Sequence, residues 1–171
     1  CSYAHHLYIG GQELKDVVIP SGVTSIGYDA FYGCSGLTSV TIPSSVTSIG
    51  DDAFDGCYAE LIINCDITPN HSFKGCSCRA LKIGKGVKEI SKSAFVSMTN
   101  LYKVTYDAEN CSLDIDSSTP MFYTNVRTVV IGNNVSSVPS YMFYNCLKVK
   151  TLDLSSFYTS QVTSVAYMFA N

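Results

Sequence analysis

The residues best equipped for chemistry stand in one short stretch. Cys65, His71, Cys76 and Cys78 fall within fourteen residues and bring thiols and an imidazole, the donors that zinc prefers. Their spacing, Cys-x5-His-x4-Cys-x-Cys, departs from fingers and ribbons, where a Cys-x2–4-Cys pair is expected. No metal is therefore assigned to them. A second group, Asp107, Glu109, Asp114 and Asp116, offers carboxylates at alternate positions that could hold calcium. No glycine stands where an EF-hand loop needs its sharp turn, so a solvated acidic loop is the expectation. The stretch before it is basic: Arg79, Lys82, Lys85, Lys88, Lys92 and Lys103 against Glu89. Those charges either offset the acidic loop or mark a patch for an anionic partner such as a glycan, and a charge run is more often a solvated face.

Nucleophilic catalysis finds no support. The three histidines are His5, His6 and His71, and no serine or cysteine stands in a G-x-S-x-G setting. No glycine-rich phosphate loop exists either. Catalytic residues, cofactors and metal ligands are all expected to be absent. Asn70-His-Ser, Asn110-Cys-Ser and Asn134-Val-Ser are glycosylation sequons, but nine asparagines in a chain with 23 serines and 13 threonines produce about two such triplets by chance.

The elements that must carry these residues are set by a repeat. Ile19-Pro-Ser-Gly-Val-Thr-Ser-Ile-Gly-Tyr-Asp-Ala-Phe-Tyr-Gly-Cys34 returns as Ile42-Pro-Ser-Ser-Val-Thr-Ser-Ile-Gly-Asp-Asp-Ala-Phe-Asp-Gly-Cys57, 23 residues on. With phenylalanine as a ruler, the unit continues at Phe31, Phe54, Phe73, Phe95, Phe122, Phe143 and Phe169. The spacings are 23, 19, 22, 27, 21 and 26, within the ~20–29 residues of leucine-rich repeats. The third copy is four residues short, and the fifth carries an insertion around Asp107 to Thr119.

In the second copy, Leu37-x-x-Val40-x-Ile42 has the alternation of a strand that sends every other side chain inward. Pro43 cannot donate to a ladder and ends the strand. Val46 and Ile49 then return to the core, and Asp-Asp-Ala-Phe-Asp-Gly is too short for an α-helix, so a turn or one 3₁₀ coil is expected. One unit cannot bury its apolar edge alone; stacked at ~4.8 Å, the units share a sheet. The expected fold is a repeat solenoid: a leucine-rich-repeat, right-handed stack with one parallel β-sheet, one strand per repeat, and an irregular or 3₁₀ back. Residues 1–16 differ. Ala4 to Ile9, Gly10-Gly11 and Gln12 to Ile19 suggest two strands and a two-residue turn, an N-terminal β-hairpin or linker unit leading into a repeat domain over residues 17–171. The chain stops at Phe169-Ala-Asn171, where another Cys and strand are due, so truncation at that end is expected.

These residues resemble the BspA-like leucine-rich repeats of bacterial surface proteins, also found in some mucosal protists. The motif L-x-x-V-x-I-P-x-x-V-x-x-I-G-x-x-A-F-x-G-C stands nearly complete from Leu37 to Cys57. Tyr3-Ala-His-His-Leu-Tyr-Ile-Gly-Gly-Gln-Glu-Leu resembles a linker unit of that family, and Leu152 to Phe169 a related repeat subtype. The resemblance implies a secreted or surface-displayed protein linked to adhesion, with no catalytic residues to transfer.

Eight cysteines fit that picture without a disulfide scaffold. Cys34, Cys57, Cys76 and Cys146 share one repeat position, which Met98 and Asn125 occupy elsewhere, so the slot wants a soft apolar filler. Cys78 falls at the Leu37 position. Cys1, Cys65 and Cys111 lie outside the pattern and are the better disulfide candidates.

Composition is consistent with a binding surface. Only 15% of residues are charged, the net charge is −3 and the pI is near 5.5, which gives no global pull on nucleic acid. No apolar run approaches the ~18–20 residues that span a bilayer. The expected function is a non-catalytic cell-surface adhesion module for an extracellular protein or glycan. The alternatives are a structural spacer and an accessory region of a larger secreted enzyme. Alternation about Thr41 places Val18, Thr41, Ile62, Lys82, Thr105, Val130 and Asp153 in one outward row, with Asp16, Ser39, Glu60, Ala80, Lys103, Thr128 and Thr151 beside it. From these rows Thr41, Ile62, Lys82, Lys103, Thr105, Thr128 and Val130 are the candidate binding residues. Tyr28, Tyr32, Tyr58, Tyr123 and Tyr144 fall on the turns and back, the other candidate surface.

Overall fold

A computed structural model describes residues 6–91, 94–113, 121–122, 125–157 and 168–169. A hairpin comes first: β1 (Tyr8–Ile9) pairs antiparallel with β2 (Gln12–Glu13). Both turn glycines, Gly10 and Gly11, take positive φ, the geometry a two-residue turn asks for. The hairpin is shorter than the sequence suggests. Asp16–Val18, expected in its second arm, forms β3 in the main sheet, because Val17 is held by the neighbouring repeat.

Seven strands then lie side by side, all parallel: β3 (Asp16–Val18), β5 (Ser39–Ile42), β7 (Glu60–Ile63), β8 (Ala80–Ile83), β10 (Lys103–Tyr106), β12 (Thr128–Ile131) and β13 (Thr151–Asp153). Each of the five four-residue strands alternates half-exposed with buried positions, which is the period-2 pattern of a sheet with one wet face. One residue beyond each strand the ladder continues: Asn64, Gly84, Asp107 and Gly132 donate their N–H to the last carbonyl of the preceding strand at 2.8–3.0 Å. Pro20 and Pro43 hold this place in the first two repeats and cannot donate. At Gly84 a Cβ would run into the Asn64 amide oxygen, and at Gly132 into the Asp107 carboxylate. At Gly84 the Ile63 carbonyl oxygen, 2.9 Å from that Cβ, crowds the site as well.

The far side is more ordered than an irregular back. After the strand, the chain forms a second parallel column: β4 (Ser25–Ile26) on β6 (Ser48–Ile49), and β9 (Glu89–Ile90) on β11 (Ser112–Leu113). The short third repeat joins the two pieces with single bridges, His71 back to Ile49 and Ile67 forward to Ile90. No 3₁₀ segment occurs among the described residues.

The turn around each phenylalanine has a simple cause. Asp29, Asp52 and Tyr141, two residues before a phenylalanine, have φ of 55–62°, and Gly33, Gly56, Gly75 and Asn145, two residues after one, have φ of 59–72°. Glycine, Asn and Asp tolerate that region best. Between them the chain reverses so that the N–H of Cys34, Cys57, Cys76, Met98 and Cys146 reaches the carbonyl of the phenylalanine three residues earlier at 3.0–3.2 Å. The phenylalanine is thereby driven inward. Phe54, Phe95, Phe122 and Phe143 are buried, while Phe31 in the first repeat is only half-buried. Rings stack along the axis: Phe31–Phe54 at 5.3 Å, Phe95–Phe122 at 5.6 Å, Phe122–Phe143 at 5.7 Å and Phe143–Phe169 at 5.4 Å. Phe73 meets Phe95 tilted at 52°.

Candidate functional site

The two outward rows form as the alternation requires. Val18, Thr41, Ile62, Lys82, Thr105, Val130 and Asp153 are successive register partners, as are Asp16, Ser39, Glu60, Ala80, Lys103, Thr128 and Thr151. All seven candidate residues, Thr41, Ile62, Lys82, Lys103, Thr105, Thr128 and Val130, are half-exposed on this open face. They are small, apolar or cationic. The one ionic contact among them joins Lys82 Nζ to Asp107 Oδ2 at 3.6 Å.

The zinc-competent residues separate. Among the described residues no three His, Cys, Asp or Glu side chains converge. Cys65 meets His71, with Sγ 3.8 Å from Nε2, and Cys78 meets Cys76 separately. His71 is a buried core histidine in the place Ile49 holds one repeat earlier. Its Nδ1 accepts the Thr68 N–H at 3.2 Å, so Nε2 carries the proton and faces the Val46 carbonyl at 3.4 Å. Burial lowers its pKa and favours the neutral ring. Burial also pushes the Cys65 thiol up to about 11. The pair is neutral and packed, and the thiol stays protonated rather than forming a thiolate nucleophile.

The remaining cysteines also serve the core. Cys34, Cys57, Cys76 and Cys146 are buried free thiols, and Cys78 turns its Sγ to the Cys57 carbonyl at 3.2 Å. Cys65 and Cys111, outside the repeat pattern, are likewise buried and free. The Cys111 thiol is raised to about 12, mainly by burial. Cys1 lies outside the described residues.

The acidic group is divided. Asp107 Oδ1 accepts the Asn134 amide of the next repeat at 3.0 Å and its Oδ2 faces Lys82 of the preceding one, so its oxygens brace both neighbours. Glu109 is exposed, and Asp114 and Asp116 lie outside the described residues.

The basic run is dispersed as well. Lys82 and Lys103 lie on the sheet, whereas Lys85 and Lys88 line an open recess of ≈ 300 Å³ with Val87, Glu109 and Asn110 on the sheet's downstream side. Arg79 lies on the opposite, upstream edge, one residue ahead of β8. Its register mates were not found in the sequence: Tyr102, Arg127 and Lys150, one residue ahead of β10, β12 and β13. Tyr102 N–H bonds the Arg79 carbonyl at 3.0 Å, Arg127 N–H the Tyr102 carbonyl at 2.8 Å, and Lys150 N–H the Arg127 carbonyl at 2.8 Å. All four side chains are exposed. Moving the strand alignment one residue upstream would have lined them up, but in a linear reading 23–25 residues part them. Tyr58 is 46% exposed, with the Arg79 guanidinium 4.8 Å from its ring centroid. Tyr28 and Tyr32 are also exposed; Tyr123 lies outside the described residues.

Charge follows the axis. The first 73 residues hold one Lys or Arg and eight carboxylates; residues 74–171 hold ten cations and six carboxylates. The molecule is acidic in its first three repeats and basic beyond them.

Comparison with known proteins agrees with the repeat. The family model of the BspA type leucine rich repeat region matches residues 5–70 and 64–171, with six copies. No curated protein matches the sequence. Among solved structures, a leucine rich cell surface protein from Faecalibacterium prausnitzii is 22% identical with a TM-score of 0.44, over 92% of this chain and 36% of that one. A leucine-rich repeat protein from Eubacterium ventriosum is 20% identical with a TM-score of 0.31, over 81% and 59%. One from Bacteroides ovatus is 18% identical with a TM-score of 0.31, over 88% and 68%. The chain thus spans about a third of the first protein's length and less than two thirds of the second's.

Proposed function

The chain belongs to the BspA-type leucine-rich-repeat family, and from that premise we propose that it is a non-catalytic binding module that recognises an extracellular macromolecule at a cell surface. The sheet face carries the reading. Two rows of outward residues run without interruption across seven repeats at a spacing of ~4.8 Å, held in register by the backbone. An open ribbon of this kind suits an extended protein partner. Catalysis, by contrast, draws on enclosure and ionisable groups with shifted pKa values near their reacting partner. Here the strongly shifted groups are buried thiols and a phenol that serve packing.

The test is a screen of the purified chain against extracellular matrix proteins, with the Ile62→Glu/Thr105→Glu double variant as the probe of the face. Both positions are half-exposed, so the fold should persist. The expected result is reversible binding that the double variant weakens at least tenfold. Full affinity in that variant, or turnover of any ligand, would overturn the proposal.

A further inference from the structure

A second surface lies beside the sheet face rather than on it. Along the upstream edge, repeats four to seven place Arg79, Tyr102, Arg127 and Lys150 on consecutive rungs, ~4.8 Å apart. Lys103, one residue further on, adds a fifth exposed or half-exposed group to the same edge. In repeats one to three the corresponding positions are Lys15, Thr38 and Ala59, so the feature belongs to the basic half alone. Among the described residues none of Arg79, Lys103, Arg127 and Lys150 forms an ion pair. The nearest carboxylates in register are Glu60, on the rung before Arg79 and one residue further on but not ion-paired with it, and Asp153, three residues beyond Lys150. The edge therefore keeps unneutralised positive charge at regular intervals, interrupted by one aromatic ring that is 47% exposed.

We propose that this edge docks a linear acidic polysaccharide, laid along the solenoid axis across repeats four to seven. Guanidinium groups match carboxylate and sulfate oxygens with two parallel hydrogen bonds. A chain with one anionic group per sugar or per pair of sugars presents them in a line, as the edge presents its cations. Tyr102, between Arg79 and Arg127, offers an exposed ring to the C–H side of a sugar, and Tyr58 supports the Arg79 guanidinium from beneath. The proposal rests on the reading of the chain as an extracellular binding module and names an additional surface and its ligand class. An extracellular setting favours polysaccharide over nucleic acid, the other extended polyanion that could use such an edge.

The experiment measures binding of the intact chain to heparin, hyaluronan and a single-stranded DNA of matched length across a salt series. Heparin presents sulfates and carboxylates, hyaluronan carboxylates alone. The expected result is salt-sensitive binding to heparin that Arg127→Glu/Lys150→Glu weakens at least tenfold. Lys85→Glu/Lys88→Glu, an equal charge change on the opposite side, should shift it less than twofold. Tyr102→Ala should weaken binding severalfold with an unchanged salt slope, and Tyr102→Phe should restore it. Hyaluronan binding as well would show that carboxylates suffice; binding of heparin alone would assign the site to sulfates. No binding to either polysaccharide, equal losses in the two charge-reversal pairs, or DNA bound as tightly as heparin would each overturn the proposal. Ile62→Glu/Thr105→Glu separates this surface from the sheet face. Heparin binding retained in that variant, with no protein ligand found, would leave the edge standing and the sheet-face reading failed.

Discussion

Tyr106 occupies the core slot that Ile83 and Ile131 fill in the flanking strands. Its ring is fully buried, and its hydroxyl faces only the thiol and backbone of Cys111, with no hydrogen bond of good geometry among the described residues. Burial, with the Cys111 thiol beside it, raises its pKa far above the ordinary range. An unsatisfied buried hydroxyl costs about 1–3 kcal/mol. Tyr106→Phe keeps the ring and removes that cost, so its urea midpoint is expected to rise or stay level; a clear fall would mean the hydroxyl has a partner that matters. His71 makes a different prediction. Its folded-state pKa is depressed by burial, so the unfolded chain takes up a proton near pH 6.5 while the native ring stays neutral. Stability is then full above about pH 6.5 and falls as pH drops towards the native pKa. Unfolding free energies at pH 7.5, 6.5 and 5.5 should decline in the wild type and decline less in His71→Leu. Parallel curves would exclude His71 as the source.

At the scale of the element, the phenylalanine turn concentrates the local energetics. Phe54 and Phe95 are buried inside the ladder with ring neighbours, whereas Phe31 is half-exposed in the first repeat. Phe54→Ala and Phe95→Ala should each cost about 3–5 kcal/mol, since an interior hole closes poorly. Phe31→Ala should cost visibly less in the same denaturant titration. Equal costs would show that burial along the stack is uniform. The left-handed position offers the opposite sign. Asp29 and Asp52 adopt it readily, but Tyr141 holds it at φ 62°. Placing a compatible residue there with Tyr141→Asn is expected to raise stability by about 0.5–1 kcal/mol, and a loss would mean that the contacts of the ring, the one with Tyr144 among them, outweigh the strain. Much of this was legible in the sequence because side chains repeat with the backbone. The Phe ruler fixed the register of all seven strands and both outward rows. The second column was not legible: Ser25-Ile26 and Ser48-Ile49 give two-residue strands, too short for alternation to register. Splitting of the third repeat between Ile67 and His71 also escaped, because a deletion does not say which residues turn back and which turn forward. The upstream edge was hidden for another reason. Its charges share a rung only after folding, while the linear run from Arg79 to Lys103 is scattered over three sides.

The whole molecule is nearly one-dimensional: the strand contacts join each repeat to its neighbours, and among the described strands none joins the first repeats to the last. Stability in such a stack is close to a sum of repeat and interface terms, so opening can begin at an end without involving the middle. The thiols report on this directly. Seven are buried and free, spread from Cys34 in the first repeat to Cys146 in the sixth. Burial raises the Cys34 thiol and holds Cys146 near 11, so neither reacts without opening. Cys57 lies one repeat further in than Cys34 and Cys78 at the centre of the stack, and both are fully shielded. Labelling by a thiol reagent under native conditions, followed by mass spectrometry, should modify Cys34 and Cys146 first, through partial opening of the flanking repeats. Cys57 and Cys78 should follow only at the rate set by global unfolding, with a denaturant dependence matching the equilibrium m-value. Had the repeats formed one indivisible cooperative unit, all seven thiols would label together at the global rate. A solenoid whose interfaces carry the stability must instead show a gradient from the ends inward, and a single shared rate would be incompatible with it.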